Sequence, residues 1–550
     1  MRFAGAQVPR RVHISCAGVM RRVALLCCLS IVCAQPGLAS QAFSHAPARP
    51  ATASGSAQRQ NASPPETPEQ KTARAMDAVK SNGPALYAFL KAMPKGTDLH
   101  NHLAGAAYAE SYAAFAGQSH LCLEVRTMTL MQPPCKAGQV DAAQSLTDPV
   151  LYRQMIDAWS MRGWNHLAES GHDHFFDAFA RFDEAMHGHK GEMLAEVVAR
   201  AADGKVQYLE LMTAPDDGKS IALAAKIQWD ENFSHMRDKL LASGMSELVA
   251  ESRRNLDAWE GERDRILNCR DRNKALVRPG CDVTVRFIYP ALRAVSPVQM
   301  FSQLLLAFEL ARQDSRMVAV NMVQPEDWLV PMRDFQLHMR ILNFLKELYP
   351  NVHVTLHAGE LAPGMVPPED LRFHIRESIE IGHAERIGHG VDIMYEQDPH
   401  ELLEEMARLG IMVEINLTSN YMVLGVRGRQ HPLADYLKAG VPVALSTDDE
   451  GVERSEITRE YQRAVEDQGL DYPCLKKMVR TGMEHAFLPG QSLWTDARKF
   501  TMTRECAGEK LTAHPSGAAC QKFLSVNEKA RQQWQLEKAL AEFEANASQR

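Results

Sequence analysis

The chain has 550 residues, 45% of them hydrophobic and 23% charged, with a formal net charge of −7. This is soluble-globular composition, with apolar material for one large barrel or for two to four average domains. The well-mixed charge removes any electrostatic case for nucleic-acid or anionic-membrane partners, and no run of about twenty apolar residues is present to span a bilayer.

At the N-terminus Arg21 and Arg22 precede a short apolar run, 23–34, and then small residues around Gly37, Ala39 and Ser40. Positive charge, a short hydrophobic stretch and a small-residue exit predict a secretory signal peptide over 1–42, and hence a secreted or periplasmic protein. Met20 directly before the basic pair is an alternative start. An Ala/Ser/Pro/Gln-rich stretch follows with little to bury, so 43–80 is expected to be a flexible lead-in. The main body is drawn at 81–502 and a C-terminal extension at 503–550.

Within the body, eight strand-like runs follow in order: 97–103, 205–212, 282–289, 317–323, 352–357, 385–389, 411–417 and 442–447. Most are short, rich in Val, Ile and Leu, and apolar on both sides, as parallel strands covered by helices are. Helical stretches such as 297–312, 332–348 and 399–409 lie between them. The pattern predicts an α/β fold, a (β/α)8 TIM barrel with long helical insertions after strands 1 and 2 and a C-terminal helical extension. The first insertion is expected to hold a helix over 148–169, the second to run over 217–278, and the tail to end in a helix over 523–543.

Barrel enzymes carry their reactive groups where strands finish. His100 and His102 sit on the first strand two residues apart, which puts both imidazoles on one face. His357 and Glu360 end the fifth, His389 the sixth, and Asp448 and Asp449 the eighth. A lone His is more often a satisfied core residue than a ligand, and paired Asp residues commonly cap a helix. Four such features at the ends of strands one, five, six and eight are hard to reach by chance. Three imidazoles and one carboxylate suit Zn²⁺ and leave a position for water; the remaining Glu, His and Asp read as acid–base and orienting groups.

These residues fall in Met93-Pro94-Lys95-Gly96-Thr97-Asp98-Leu99-His100-Asn101-His102-Leu103, His357-Ala358-Gly359-Glu360, Arg386-Ile387-Gly388-His389-Gly390 and Leu445-Ser446-Thr447-Asp448-Asp449. In that order they resemble the four motifs of the adenosine deaminase family, within the wider metal-dependent amidohydrolases, over about residues 85–490. The exported character and long insertions resemble the secreted, growth-factor-related members. The resemblance implies one zinc per chain held by His100, His102, His357 and Asp448. It implies that Glu360 protonates the purine N1, that His389 orients and helps deprotonate the attacking water, and that Asp449 accepts a hydrogen bond from N7, provided N7 or Asp449 carries a proton. The implied reaction is hydrolysis of adenosine or a close 6-aminopurine nucleoside to inosine and ammonia.

Two positions depart from the family pattern. Ala104 stands where many members have an acidic residue that meets the sugar hydroxyl, and Gln324 stands where a glycine lets backbone approach the purine; Gln324 is therefore the candidate substrate contact there. The alternatives are another mononuclear zinc amidohydrolase with a different substrate, or a non-catalytic nucleoside-binding protein. The His-x-Glu and Pro-Cys-x-x-Cys pattern of cytidine-type deaminases is absent. The sequence leaves the oligomeric state open.

Four of eleven cysteines lie in or before the signal. Six of the other seven form sequence-local couples, Cys122–Cys135, Cys269–Cys281 and Cys506–Cys520, expected as disulfides after export, with Cys474 free and buried in a helix behind the barrel. The aromatic segment from Trp159 to Phe182 is expected to be a buried helical face, with an apolar lid over the purine as the minority reading. Arg286 and Arg293, on and after the third strand, are candidates for a substrate phosphate or for structural ion pairs. Glu210 is expected to orient its neighbours.

Overall fold

The computed structural model describes residues 66–547, so the signal peptide and most of the lead-in lie outside the described residues. Eight parallel strands form one sheet in sequence order: β1 (Gly96–His102), β2 (Val206–Met212), β3 (Thr284–Leu292), β4 (Met317–Val323), β5 (His353–Ala358), β6 (Arg386–His389), β7 (Met412–Ile415) and β8 (Val443–Leu445). The two edges meet just past β8, where Asp448 N donates to His100 O at 2.8 Å and His102 N donates to Asp448 O at 3.0 Å. This bridge closes the sheet and places Asp448 beside the β1 histidines.

The strands are buried on both faces because helices cover the outside. Pro297–Gln313 is typical: Ser296 and Gln299 form a capping box, and every residue from Met300 to Leu310 is buried. The expected barrel is therefore the observed one, with strand limits moved by a few residues.

Several local expectations fail for identifiable reasons. The seventh strand stops at Ile415, because a helix, Leu417–Leu424, begins two residues later. The helix expected over 148–169 spans only Pro149–Ala158; Trp159 turns inward, its Nε1 donating to Met128 O at 2.7 Å. The tail helix is two helices, Ala518–Val526 and Glu528–Ala547, parted at Asn527, whose side chain bonds Phe523 O and Gln491 N. The end of the lead-in is not flexible: Pro68–Val79 is a helix opened by a Thr67/Gln70 capping box, with Thr72 and Met76 buried. Composition hides that signature, which lies in two residues three positions apart.

The first insertion also contains a small antiparallel sheet of Cys122–Glu124, Thr129–Met131 and Gln139–Asp141, its central strand tied by Cys122–Cys135. Cys269–Cys281 and Cys506–Cys520 are bonded as well. Cys474 is free but only half-buried: it lies in the first turn of Tyr472–His485, where its N–H caps onto Asp471. Among the described residues no helix is long and apolar enough to cross a membrane.

Candidate active site at the barrel mouth

Alternation along β1 turns His100 and His102 to the same face, and the carboxyl ends of β5, β6 and β8 bring His357, Glu360, His389, Asp448 and Asp449 to meet them. His100 Nε2 lies 3.1 Å from His357 Nε2, and His102 Nε2 lies 3.2 Å from the same atom. Asp448 Oδ1 stands 3.3 Å from His100 Nε2 and 3.2 Å from His102 Nε2. His389 Nε2 is farther out, 3.7 Å from Asp448 Oδ2 and 3.8 Å from Glu360 Oε1, and has no partner among the described residues. Every residue read from the motifs thus converges on one point.

The backbone there takes conformations that ordinary strands avoid. His389 has φ 70°, Asp448 φ 59° and Gln324 φ 86°, all in the left-handed region that non-glycine residues rarely enter and that is often found at functional sites. Two glycines are required by close approach. A Cβ at Gly388 would stand 2.6 Å from His100 Cε1, and one at Gly359 would stand 2.3 Å from Asp392 Oδ1.

A second layer, spread over five strands, holds the first in place. Glu414 Oε2 accepts from His100 Nδ1 at 2.6 Å, leaving Nε2 to face the cluster. Its other oxygen receives Arg386 Nε at 2.6 Å and Thr355 Oγ1 at 2.9 Å. Arg386 also reaches Glu210 Oε2 at 2.6 Å, and Tyr208 OH reaches Glu210 Oε1 at 2.7 Å. Glu210 thus orients its neighbours, as its place near the end of β2 suggested. Asn321 Oδ1, at the end of β4, accepts from His357 Nδ1 at 2.9 Å and from His357 N at 3.0 Å. Glu326 accepts from Glu360 N at 2.8 Å and fixes the turn that carries Glu360. Asn420, in Leu417–Leu424, lies 2.9 Å from His389 Nδ1 through its Nδ2, and His431 Nε2 lies 3.0 Å from Asn420 Oδ1. Sequence reasoning missed Glu414, Asn420 and His431. Only the inward parity of β7 could have pointed to Glu414.

Burial governs the charges. It pushes the Glu360 carboxyl well above the usual carboxylate range, with Asp448 adding to the rise. Burial and then Asp448 raise Asp449 in the same way, and its Oδ1 has no hydrogen-bond partner among the described residues. Burial also holds His357 and His389 below the usual imidazole range, which keeps them neutral. Burial would raise Glu414 too, but Arg386 and the His100 bond outweigh it and hold the group down at about 2.

The remaining candidates have structural partners. The Gln324 side chain is tied through its Oε1, which accepts from Ala294 N at 2.8 Å. Arg293 is buried and donates to Gln324 O at 2.8 Å and His357 O at 3.1 Å, and Arg286 pairs with Glu528 at 2.8 Å. Within the aromatic segment Trp159, Phe175 and Phe182 are buried, and Phe182 stacks on Tyr112 with ring centroids 4.5 Å apart. At the rim, His172 Nε2 meets Asp327 Oδ1 at 3.0 Å, joining this insertion to the loop after β4.

A closed parallel barrel with imidazoles and carboxylates gathered at its carboxyl ends has its reactive groups where barrel enzymes carry their active sites. Residues 264–493, a stretch that carries three of the four motifs, match the family model for adenosine deaminase. The chain is 39% identical to the adenosine deaminase of Serratia proteamaculans over 145 residues, 26% of this chain and 40% of that relative. It is 36% identical to that of Escherichia coli over 140 residues, 25% of this chain and 39% of the relative. The chain thus matches these curated relatives over about two fifths of their length. Among solved structures, a zinc-bound amidohydrolase from Burkholderia ambifaria has a TM-score of 0.46 at 16% identity, with coverage of 74% of this chain and 88% of that one. The N6-mAMP deaminase of Arabidopsis has a TM-score of 0.47 at 21% identity, with coverage of 73% and 96%.

Proposed function

We propose that this protein is a zinc-dependent hydrolase that removes the 6-amino group from adenosine or a close 6-aminopurine nucleoside. The observation that carries the metal reading is a cluster of ligand atoms: four of the six pairs among the Nε2 atoms of His100, His102 and His357 and Asp448 Oδ1 lie 3.1–3.3 Å apart, and His389 lies within 4.8 Å of His100, His357 and Asp448. Ligands about 2.0–2.1 Å from a tetrahedral zinc ion lie about 3.3 Å from one another. Facing imidazole nitrogens at that spacing, with the Nδ1 atoms of His100 and His357 bonded to Glu414 and Asn321, are the arrangement of ligands oriented from behind. His100, His102, His357 and Asp448 would hold the ion, one per chain, which when bound acidifies water and supplies a nucleophile at neutral pH.

The chain's own residues do the rest. Glu360, kept protonated by burial, gives its proton to N1 and makes C6 electrophilic. His389 orients the attacking water from the end of β6. Asp449 donates to N7 and fixes the base. The C6–O bond forms first, giving a tetrahedral C6, and the C6–N bond then breaks; one water proton leaves with the nitrogen as ammonia and the other restores Glu360. An ultraviolet screen of the purified protein against 6-aminopurines, with metal content measured on the same sample, tests the reading. Loss of the amino group from none of them, or a second stoichiometric metal, defeats it.

The same reading takes the protein to be exported, to the periplasm or beyond. Its support is the basic and apolar N-terminal run together with three disulfides, which persist in oxidising compartments.

A further inference from the structure

The chain of groups behind His389 begins at a backbone N–H, whose direction is not in doubt. Leu433 N, the first amide of Leu433–Ala439, donates to His431 Nδ1 at 3.1 Å. His431 Nδ1 is therefore an acceptor, and the proton of this buried neutral ring sits on Nε2. His431 Nε2 faces Asn420 Oδ1 at 3.0 Å and donates to it. With its oxygen so occupied, Asn420 turns its Nδ2 to His389 Nδ1 at 2.9 Å and donates in turn. All three side chains are buried, and the described residues offer no competing partner for any of these atoms. Asn420 itself is anchored, its N–H donating to Asn416 O at 2.9 Å.

We propose that His431 is a positioning residue that sets the tautomer of His389 through Asn420, keeping the His389 proton on Nε2 where it faces Glu360 and Asp448. The direction of every bond follows from the first, so His431 acts without touching the site. Burial holds His431 down at about 4, so that ring stays neutral through the physiological range. On the reading proposed above, the resting His389 then meets the attacking oxygen as a hydrogen-bond donor that orients it, not as a ring with a free Nε2 waiting to take its proton. The family resemblance implied both orientation and help with deprotonation; the relay favours the first.

Nitrogen-15 histidine spectra, which distinguish protonated from unprotonated ring nitrogens, test this in the full chain, metal-free and zinc-loaded. His389→Asn identifies the signal. The wild-type ring is expected to carry its proton on Nε2. In Asn420→Asp the new carboxylate accepts from Nδ1, so the proton is expected to move there, with kcat for adenosine falling at least about ten-fold and KM holding within about two-fold. His431→Phe frees Asn420 to turn over and is expected to give a mixture of tautomers, while His431→Gln, which keeps a donor, is expected to restore Nε2–H. A wild-type proton on Nδ1, or an Asn420→Asp ring still protonated on Nε2, overturns the proposal. Because the spectra need no substrate, they decide the relay even if the wild type deaminates nothing, which is the separate failure of the functional reading.

Discussion

Glu414 Oε2 lies 2.6 Å from His100 Nδ1, and neither side chain has any exposed surface. The same carboxylate is bound through its other oxygen to Arg386, which is bound in turn to Glu210. An ion-paired layer inside the barrel therefore sets the angle of the His100 imidazole.

Glu414→Gln keeps the shape but removes the charge that fixes His100. Metal affinity is expected to fall about 10–100-fold, as for other outer partners of ligating histidines. Leaving Arg386 half-paired in the interior costs about 3–5 kcal/mol. Chelator competition measures the first and thermal unfolding the second; wild-type affinity in a folded variant contradicts the role given to Glu414.

Glu360→Gln is expected to retain the metal and lose at least about a hundred-fold in turnover, because an amide has no acidic proton for N1. Single-turnover assays on metal-replete protein decide it, and a fully active variant removes Glu360 from the mechanism.

The pH dependence follows from the same group. Burial and Asp448 raise Glu360, so it stays protonated well above the usual range for glutamate. Activity needs that proton, so kcat is expected to hold through neutral pH and to decline as pH rises through the raised value. A decline already complete near pH 5, the ordinary range of a carboxyl, contradicts the assignment.

Ala104 follows β1 at the mouth and offers no carboxylate to a sugar 5′-hydroxyl. The expected outcome is tolerance at that position, with kcat/KM for adenosine and 5′-deoxyadenosine within about ten-fold, equivalent to about 1.4 kcal/mol. A much larger loss on removing the hydroxyl assigns its recognition to another residue.

Non-reducing peptide mapping is expected to find Cys122–Cys135, Cys269–Cys281 and Cys506–Cys520, with Cys474 as a thiol. Each bridge closes a loop with a sequence separation of 12 to 14 residues, for which chain entropy gives about 3 kcal/mol. Reduction is therefore expected to lower the unfolding temperature. An unchanged transition after full reduction shows that these loops do not limit stability.

The sequence by itself determined the barrel, the order of its strands and the seven residues that converge at its mouth. It could do so because each signal is local: a short apolar run marks a strand, a two-residue spacing puts His100 and His102 on one face, and His357 and Glu360 lie in one turn. Helix limits at Trp159 and Asn527 were lost because a single side-chain bond to a distant or newly turned backbone decides each of them. What surrounds the site was decided only by the tertiary structure. Glu414 meets His100 across 314 residues, Arg386 meets Glu210 across 176, and Asn321 meets His357 across 36. Such pairings leave no periodicity along the chain, since they exist only once the sheet has closed and the inward faces of separate strands share one interior. The direction of the proton on His389 belongs to the same class: it is fixed by a backbone amide beyond the site, and no spacing of residues encodes it.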